Sequence, residues 1–161
     1  MPVTPGSSGY TTNAVTAGTA NMTFAGALQK TVQKFSLTNA MVAALGAVTS
    51  GNVSLCTLPA RTRVENCYVV ISGAAVGPTT VTLSIGRTAA TYVDYIVASD
   101  AKTAATYGDV SGERGTNLVL YDVPSFSTTT VVNVQFVSTG ANLSTVTGFA
   151  ADVYLETVQL P

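Results

Sequence analysis

Residues 79–86 read TTVTLSIG, the cleanest alternation in the chain. Val81, Leu83 and Ile85 fall on one side of an extended strand, and Thr80, Thr82 and Ser84 on the other. Strand side chains point alternately to opposite faces, so the apolar set predicts a buried face and the hydroxyl set an outer one. Gly77-Pro78 marks a turn before this strand, and Gly86 closes it.

The same pattern recurs on both sides. Asn52–Leu58 sets Val53, Leu55 and Thr57 against Ser54 and Cys56, and Pro59 ends it. Arg63–Ile71 is the next strand, stopped by Gly73. Thr128–Ser138 sets Val132, Val134 and Phe136 against Val131, Asn133 and Gln135. In Phe149–Leu160, Phe149, Ala151, Val153 and Leu155 oppose Asp152, Tyr154 and Glu156. Two short apolar runs, DYIVA (94–98) and LVLYDV (118–123), flank a polar loop over 99–117 that holds five of the fifteen formal charges. Upstream, TVQKFSL (31–37) alternates irregularly, with Val32 and Phe35 as inward anchors. Thr38 or Asn39 can then cap a helix of about two turns, with Met41, Val42 and Leu45 at helical spacing and Gly46 as the stop.

About eight strands, Gly-rich turns and one short helix predict an all-β chain. Thr-rich outer faces suit antiparallel pairing, and eight such strands most naturally pack as a jelly-roll-like antiparallel β-sandwich. Residues 30–161 form that domain. Residues 1–29 carry no Asp, Glu, Lys or Arg and no sustained period, yet hold Tyr10, Met22 and Phe24. They read as an N-terminal arm: either a disordered tail, or a segment that orders on a neighbouring subunit and buries those three residues.

Composition narrows the function. Charged residues make up 9% of the 161, against about 25% in ordinary domains. Hydrophobic residues make up 47%, and there is no Trp and no His. Such a neutral, hydroxyl-rich surface suits a protein that meets other protein. Seven Lys and Arg are scattered along a chain of net charge −1, so no basic patch for nucleic acid is expected. No segment approaches the roughly 18 apolar residues of a membrane span. No cation precedes Lys30 and no apolar block resembles a signal-peptide core. The expectation is a protein made and kept in a cytoplasm, unless it leaves inside a larger particle.

Chemistry is sparse. Without His, the common nucleophile–base sets cannot be built, and Gly86-Arg87 lacks the spacing of a phosphate loop. Asp94, Asp100, Asp109 and Asp122 lie in or near the polar loop without the ligand spacing of a calcium site. Asp152 and Glu156, four residues apart on a strand, lie about 13 Å apart, too far for an acid–base pair by themselves. A hairpin turning at Pro59-Ala60-Arg61 would pair Cys56 near Arg63 or Val64 and leave Cys67 roughly 10 Å away, beyond disulfide reach. Two free, half-buried thiols are expected, with no metal site. Tyr92, Tyr95 and Tyr107 flank the polar loop. They can cap the core, pack at a protein interface or stack on sugar. Arg61 and Arg63 read as solvated turn charges.

The stretch 51–86, GNVSLCTLPARTRVENCYVVISGAAVGPTTVTLSIG, resembles small structural proteins of tailed bacteriophages. The shared features are a strand ending in Leu58-Pro59-Ala60, a Val-rich strand from Val64 to Ile71, the turn at Gly77-Pro78, and a strand ending in Ile85-Gly86. The flanking FSLTNAMVAALG and GFAADVYLETV are similar too, so the likeness runs over residues 31–160 but not the arm. It implies a non-enzymatic virion protein without cofactor, assembled in the host cytoplasm. Such sandwiches decorate the capsid exterior as homotrimers that cement neighbouring major capsid subunits, while others sit at the neck or tail. A carbohydrate-binding sandwich is the competing class, supported by the loop tyrosines and aspartates and opposed by the missing Trp. The interface expected here is Tyr10, Met22 and Phe24 of the arm with Tyr92, Tyr95 and Tyr107 of the loop.

Overall fold

A computed structural model describes residues 11–15, 17–22, 29–87, 95–108 and 128–159, those before Lys30 by backbone path. In chain order the described strands are β1 (Thr11–Val15), β2 (Ala17–Met22), β3 (Gln29–Thr38), β4 (Ser50–Leu58), β5 (Thr62–Gly73), β6 (Thr80–Gly86), β7 (Ile96–Asp100), β8 (Thr106–Gly108), β9 (Thr130–Thr139) and β10 (Ala150–Gln159). A short helix α1 (Asn39–Ala43) joins β3 to β4, and a 3-10 turn (Leu143–Thr145) precedes β10.

One sheet has the order β1-β2-β3-β10-β5-β8 and the other β4-β9-β6-β7, with the strands paired antiparallel. Without β1 and β2, each sheet has four strands, and the first of the eight lies beside the last. That is jelly-roll order, and the expected all-β sandwich with one short helix is what the chain forms. The β1–β2 hairpin extends the first sheet: Thr19 to Met22 pair with Gln33 to Lys30.

The core follows the alternation. Val81, Leu83 and Ile85 of β6 and Val132, Val134 and Phe136 of β9 are buried, as are Val153 and Leu155 of β10 in the opposite sheet. Phe136 meets Phe149 edge to face at 5.4 Å between ring centroids, a geometry favoured by the aromatic quadrupole.

Several local expectations are corrected. In β4 the register slips between Ser54 and Cys56. Leu55 is the extra residue of a bulge, so parity inverts after it: Thr57 is exposed and Leu58 buried. In β5, Thr62 and Val64 face in, then Cys67, Val69 and Ile71. The change of parity coincides with a slip in the β10 pairing that leaves Glu65 unopposed. β3 has no slip, so Val32 and Phe35 lie on opposite faces. Phe35 faces in opposite Val153, while Val32 sits opposite Glu156 on the outer face. The helix is a single short turn that buries Val42 and leaves Met41 42% exposed. Gly46, at φ 88°, ends it. The polar loop is also not one loop, because it contains the end of β7 and all of β8.

The expected Cys56 hairpin does not exist, because β4 and β5 lie in different sheets. Pro59–Arg61 is a corner between layers, where Arg61 adopts φ 63°. Both cysteines are nevertheless free, Cys56 half-buried and Cys67 buried. Burial pushes the Cys56 thiol up to about 11, and burial with the nearby Cys56 pushes Cys67 higher.

Two outcomes follow. Phe136→Ala should lose about 3–5 kcal/mol in urea unfolding, from lost burial plus a cavity. A loss under about 1 kcal/mol would show that the two sheets do not close over this ring. The thiols favour the neutral form when folded. Their contribution is therefore complete below the ordinary thiol value of 9.0 and fades as pH climbs from there through about 11. Stability of the wild type should fall more steeply over that window than that of the Cys56→Ala/Cys67→Ala variant, measured by urea midpoint at each pH.

Candidate functional site

The two outer faces of the sandwich differ in charge. In the larger sheet, cross-strand rows hold Ser36, Asp152 and Val70, then Lys34, Tyr154 and Tyr68, then Val32, Glu156 and Asn66. The charged residues of its described strands are Lys30, Lys34, Arg63, Glu65, Asp152 and Glu156. They cancel in pairs. Lys30 Nζ lies 2.6 Å from Glu156, Lys34 Nζ lies 2.8 Å from Asp152, and Arg63 pairs with Glu65. The Ser36 hydroxyl donates to Asp152 at 2.7 Å. The bond to Glu156 raises the Lys30 pKa, and the bond to Asp152 raises that of Lys34. Burial disfavours the charged form of Asp152, but the hydrogen bonds from Lys34 and Ser36 outweigh it and hold the carboxyl below its usual range. These partly exposed pairs add little stability. Their effect is to neutralise the face locally.

Between the pairs, Tyr68 and Tyr154 stack with centroids 4.7 Å apart and planes 9° from parallel. The Lys34 ammonium lies 5.8 Å from the Tyr154 ring centre. β3 and β5 flank β10 on opposite sides, so Lys34 and Tyr68 occupy the two faces of Tyr154.

The smaller sheet is different. Across β4, β9, β6 and β7 the one charged residue is Asp100, at the end of β7. Its carboxylate accepts the Lys102 N–H at 2.9 Å and the Thr103 hydroxyl at 2.8 Å, and so serves a turn. The outer rows read Ser50, Val137 and Thr82, then Asn52, Gln135 and Ser84, then Ser54, Asn133 and Gly86. The Ser54 hydroxyl donates to Asn133 Oδ1 at 2.8 Å, and the Thr80 and Thr139 hydroxyls lie 2.6 Å apart. Val131 and Val137 are 42% and 37% exposed within this field. The face carries short hydroxyls, amides and methyls, but Ser84, Gly86 and Asn133 are already buried, so its accessible part lies around Ser50, Asn52, Thr82 and Val137. Such groups lose water far more cheaply than ions, and the cores of protein interfaces are depleted of charge in the same way.

The sequence-predicted residues do not converge on one site. Tyr95 is a correction: at 0% exposure it belongs to the core and not to an interface. Tyr107 is half-buried against that core, opposite Val69. Met22 ends β2 opposite Lys30. Tyr10, Phe24 and Tyr92 lie outside the described residues, as do Asp94, Asp109 and Asp122. Among the described residues no three His, Cys, Asp or Glu side chains cluster to hold a metal, and no helix is long and apolar enough to cross a membrane. The neutral face was not foreseen, although its signal lies in the charge-free segments 50–58, 80–86 and 130–139. The sequence does not say that these strands share a sheet.

No protein-family model matches the chain, and no curated protein matches it in sequence. Among solved structures, a chain in the capsid asymmetric unit of cyanophage Pam1 is similar, with a TM-score of 0.49 and 18% identity over 83% of this chain and 85% of that one. A chain in the acid-stable capsid structure of the Helicobacter pylori bacteriophage KHP30 is similar with a TM-score of 0.47 and 13% identity, covering 80% of this chain and 86% of that one.

Proposed function

We propose that this chain is a structural protein of a phage virion, which binds the outside of the capsid as a homotrimer and cements neighbouring major capsid subunits. The observation that carries the reading is the neutral outer face of β4, β9, β6 and β7, strands that hold Asp100 as their one charged residue, with Val131 and Val137 exposed on that face. A cement protein acts through contact area and fit, so it needs a broad surface that dehydrates without stranding ions. The phage assignment is supported by the resemblance of residues 51–86 to small structural proteins of tailed bacteriophages. In this proposal the arm, with Tyr10, Met22 and Phe24, adds a second attachment to the same particle.

The test is cosedimentation of the recombinant protein with capsids that lack it, paired with a thermal scan of the particles. Binding should saturate at a fixed ratio to major capsid subunits, and occupied capsids should open at a higher temperature. Thr82→Lys and Gln135→Glu place charges in the neutral face and should weaken attachment at least about tenfold, equivalent to about 1.4 kcal/mol, with unchanged circular dichroism. Lys34→Gln, on the opposite face, should leave attachment within about twofold, under roughly 0.5 kcal/mol. Wild-type attachment by both neutral-face variants would remove this surface from the contact, and no saturable binding by the parent chain would remove the cement function.

A further inference from the structure

A stable protein interface buries about 800 Å² a side, some 20–30 residues. The accessible part of the neutral face, around Ser50, Asn52, Thr82 and Val137, is a fraction of that. A contact made there must continue past the sheet. Along the strands it can continue over either end of the sandwich, and the two ends differ in charge.

At one end lie the corner with Arg61, Arg87 directly after β6, and the Lys30–Glu156 and Arg63–Glu65 pairs. At the other end β4 and β6 begin and β9 stops. The described segments there are 39–49, 74–79, 101–105 and 140–149. Lys102 is their one charged residue, and its ammonium donates to the Pro78 carbonyl at 2.5 Å. This end also exposes large apolar side chains: Met41 and Val48 at 42% and Val76 at 59%.

The backbone joins this end to the face. The Ser138 N–H, next to Val137, donates to Thr49 O at 2.8 Å, and the Leu143 N–H to Val48 O at 2.8 Å. Beyond the 3-10 turn, Val76 and Thr147 exchange both N–H···O bonds at 2.9 Å. Gly77, at φ 118°, lies so close that a Cβ there would meet Thr145 O at 2.6 Å. Val48 and Val76 are therefore held in place before any partner arrives, and docking them costs little ordering entropy.

We infer that the capsid contact, which rests on the virion reading, continues from the neutral face over this end of the sandwich, through Val48 to Val76, against an ion-free surface of the major capsid subunit. Area requires the extension and charge gives its direction. Extension toward Arg61 would dehydrate a cation that the neutral face cannot pair. Extension over Val48 and Val76 dries methyl groups and short hydroxyls. The chemistry of the partner follows in the same way: an ion on its patch would be buried opposite no counter-ion.

The test uses cosedimentation with capsids that lack the protein. Val48→Glu and Val76→Lys should each weaken attachment at least about tenfold, with unchanged circular dichroism, while Arg61→Gln should stay within about twofold. Because no ion pair crosses the contact, wild-type attachment should change less than about threefold between roughly 50 and 500 mM salt. Wild-type attachment by either valine variant, where Thr82→Lys is weakened, would overturn the extension and leave the virion reading standing. A steep loss of attachment with salt would overturn it as well, by placing ion pairs in the contact. No saturable binding by the parent chain would overturn the virion reading, and this contact with it.

Discussion

β10 lies between β3 and β5 and pairs with both along its length, from Ala150 opposite Thr38 and Gly73 to Gln159 opposite Gln29 and Thr62. It is the last described strand, so the larger sheet is incomplete until the C-terminal segment docks. The closure joins residues more than a hundred positions apart in β3 and 77 to 97 apart in β5. Loop entropy for such contacts is lost before their burial is gained, which places this chain among slow-folding β topologies. The same docking sets Phe149 against Phe136 of the opposite sheet, so it seals the sandwich as well as the sheet.

The docking of β10 also arranges the charges. Lys30 and Lys34 come from β3, and Glu156 and Asp152 from β10, more than a hundred residues later. They meet as diagonal neighbours across one strand pair, within reach of long side chains. Most of the strand charge is thereby gathered on one face and cancelled there. The other face is left with hydroxyls, amides and valines. A low-charge composition thus becomes a directional property: one side holds its ions in fixed pairs, and the other can be dried at low cost.

The edges complete this asymmetry. Sheets in soluble proteins guard their ends because an open ladder invites further strands. Here the guards on β4 and β7 are bulges that also move side chains. Leu55 shifts the parity of β4 so that Leu58 rather than Thr57 reaches the core. The slip on β7 exposes Val97 and brings Ala98 to the Ser84 hydroxyl. Backbone irregularity therefore blunts the edges and tunes the core at once.

Period-two patterning was enough to locate β6, β9 and β10 and to name their buried faces, because a half-buried strand without bulges must alternate. Val81, Leu83 and Ile85, or Val153 and Leu155, face inward for that reason alone. Composition likewise foretold a surface short of ions. The same logic misplaced Thr57 and Val32 and could not reveal the parity change at Glu65. A bulge depends on the partner strand, and the partner is not written next to it. Tyr95 beside a polar loop looked like a surface aromatic, yet the packing of the sheets encloses it. The Pro59 corner looked like a hairpin, yet it carries the chain from one layer to the other. Which strands share a sheet was decided only by long-range pairing: β10 with β3 and β5 makes the paired face, and β9 with β4 and β6 makes the neutral one. Local sequence specifies which side of a strand is apolar. Only long-range pairing determines what stands beside it.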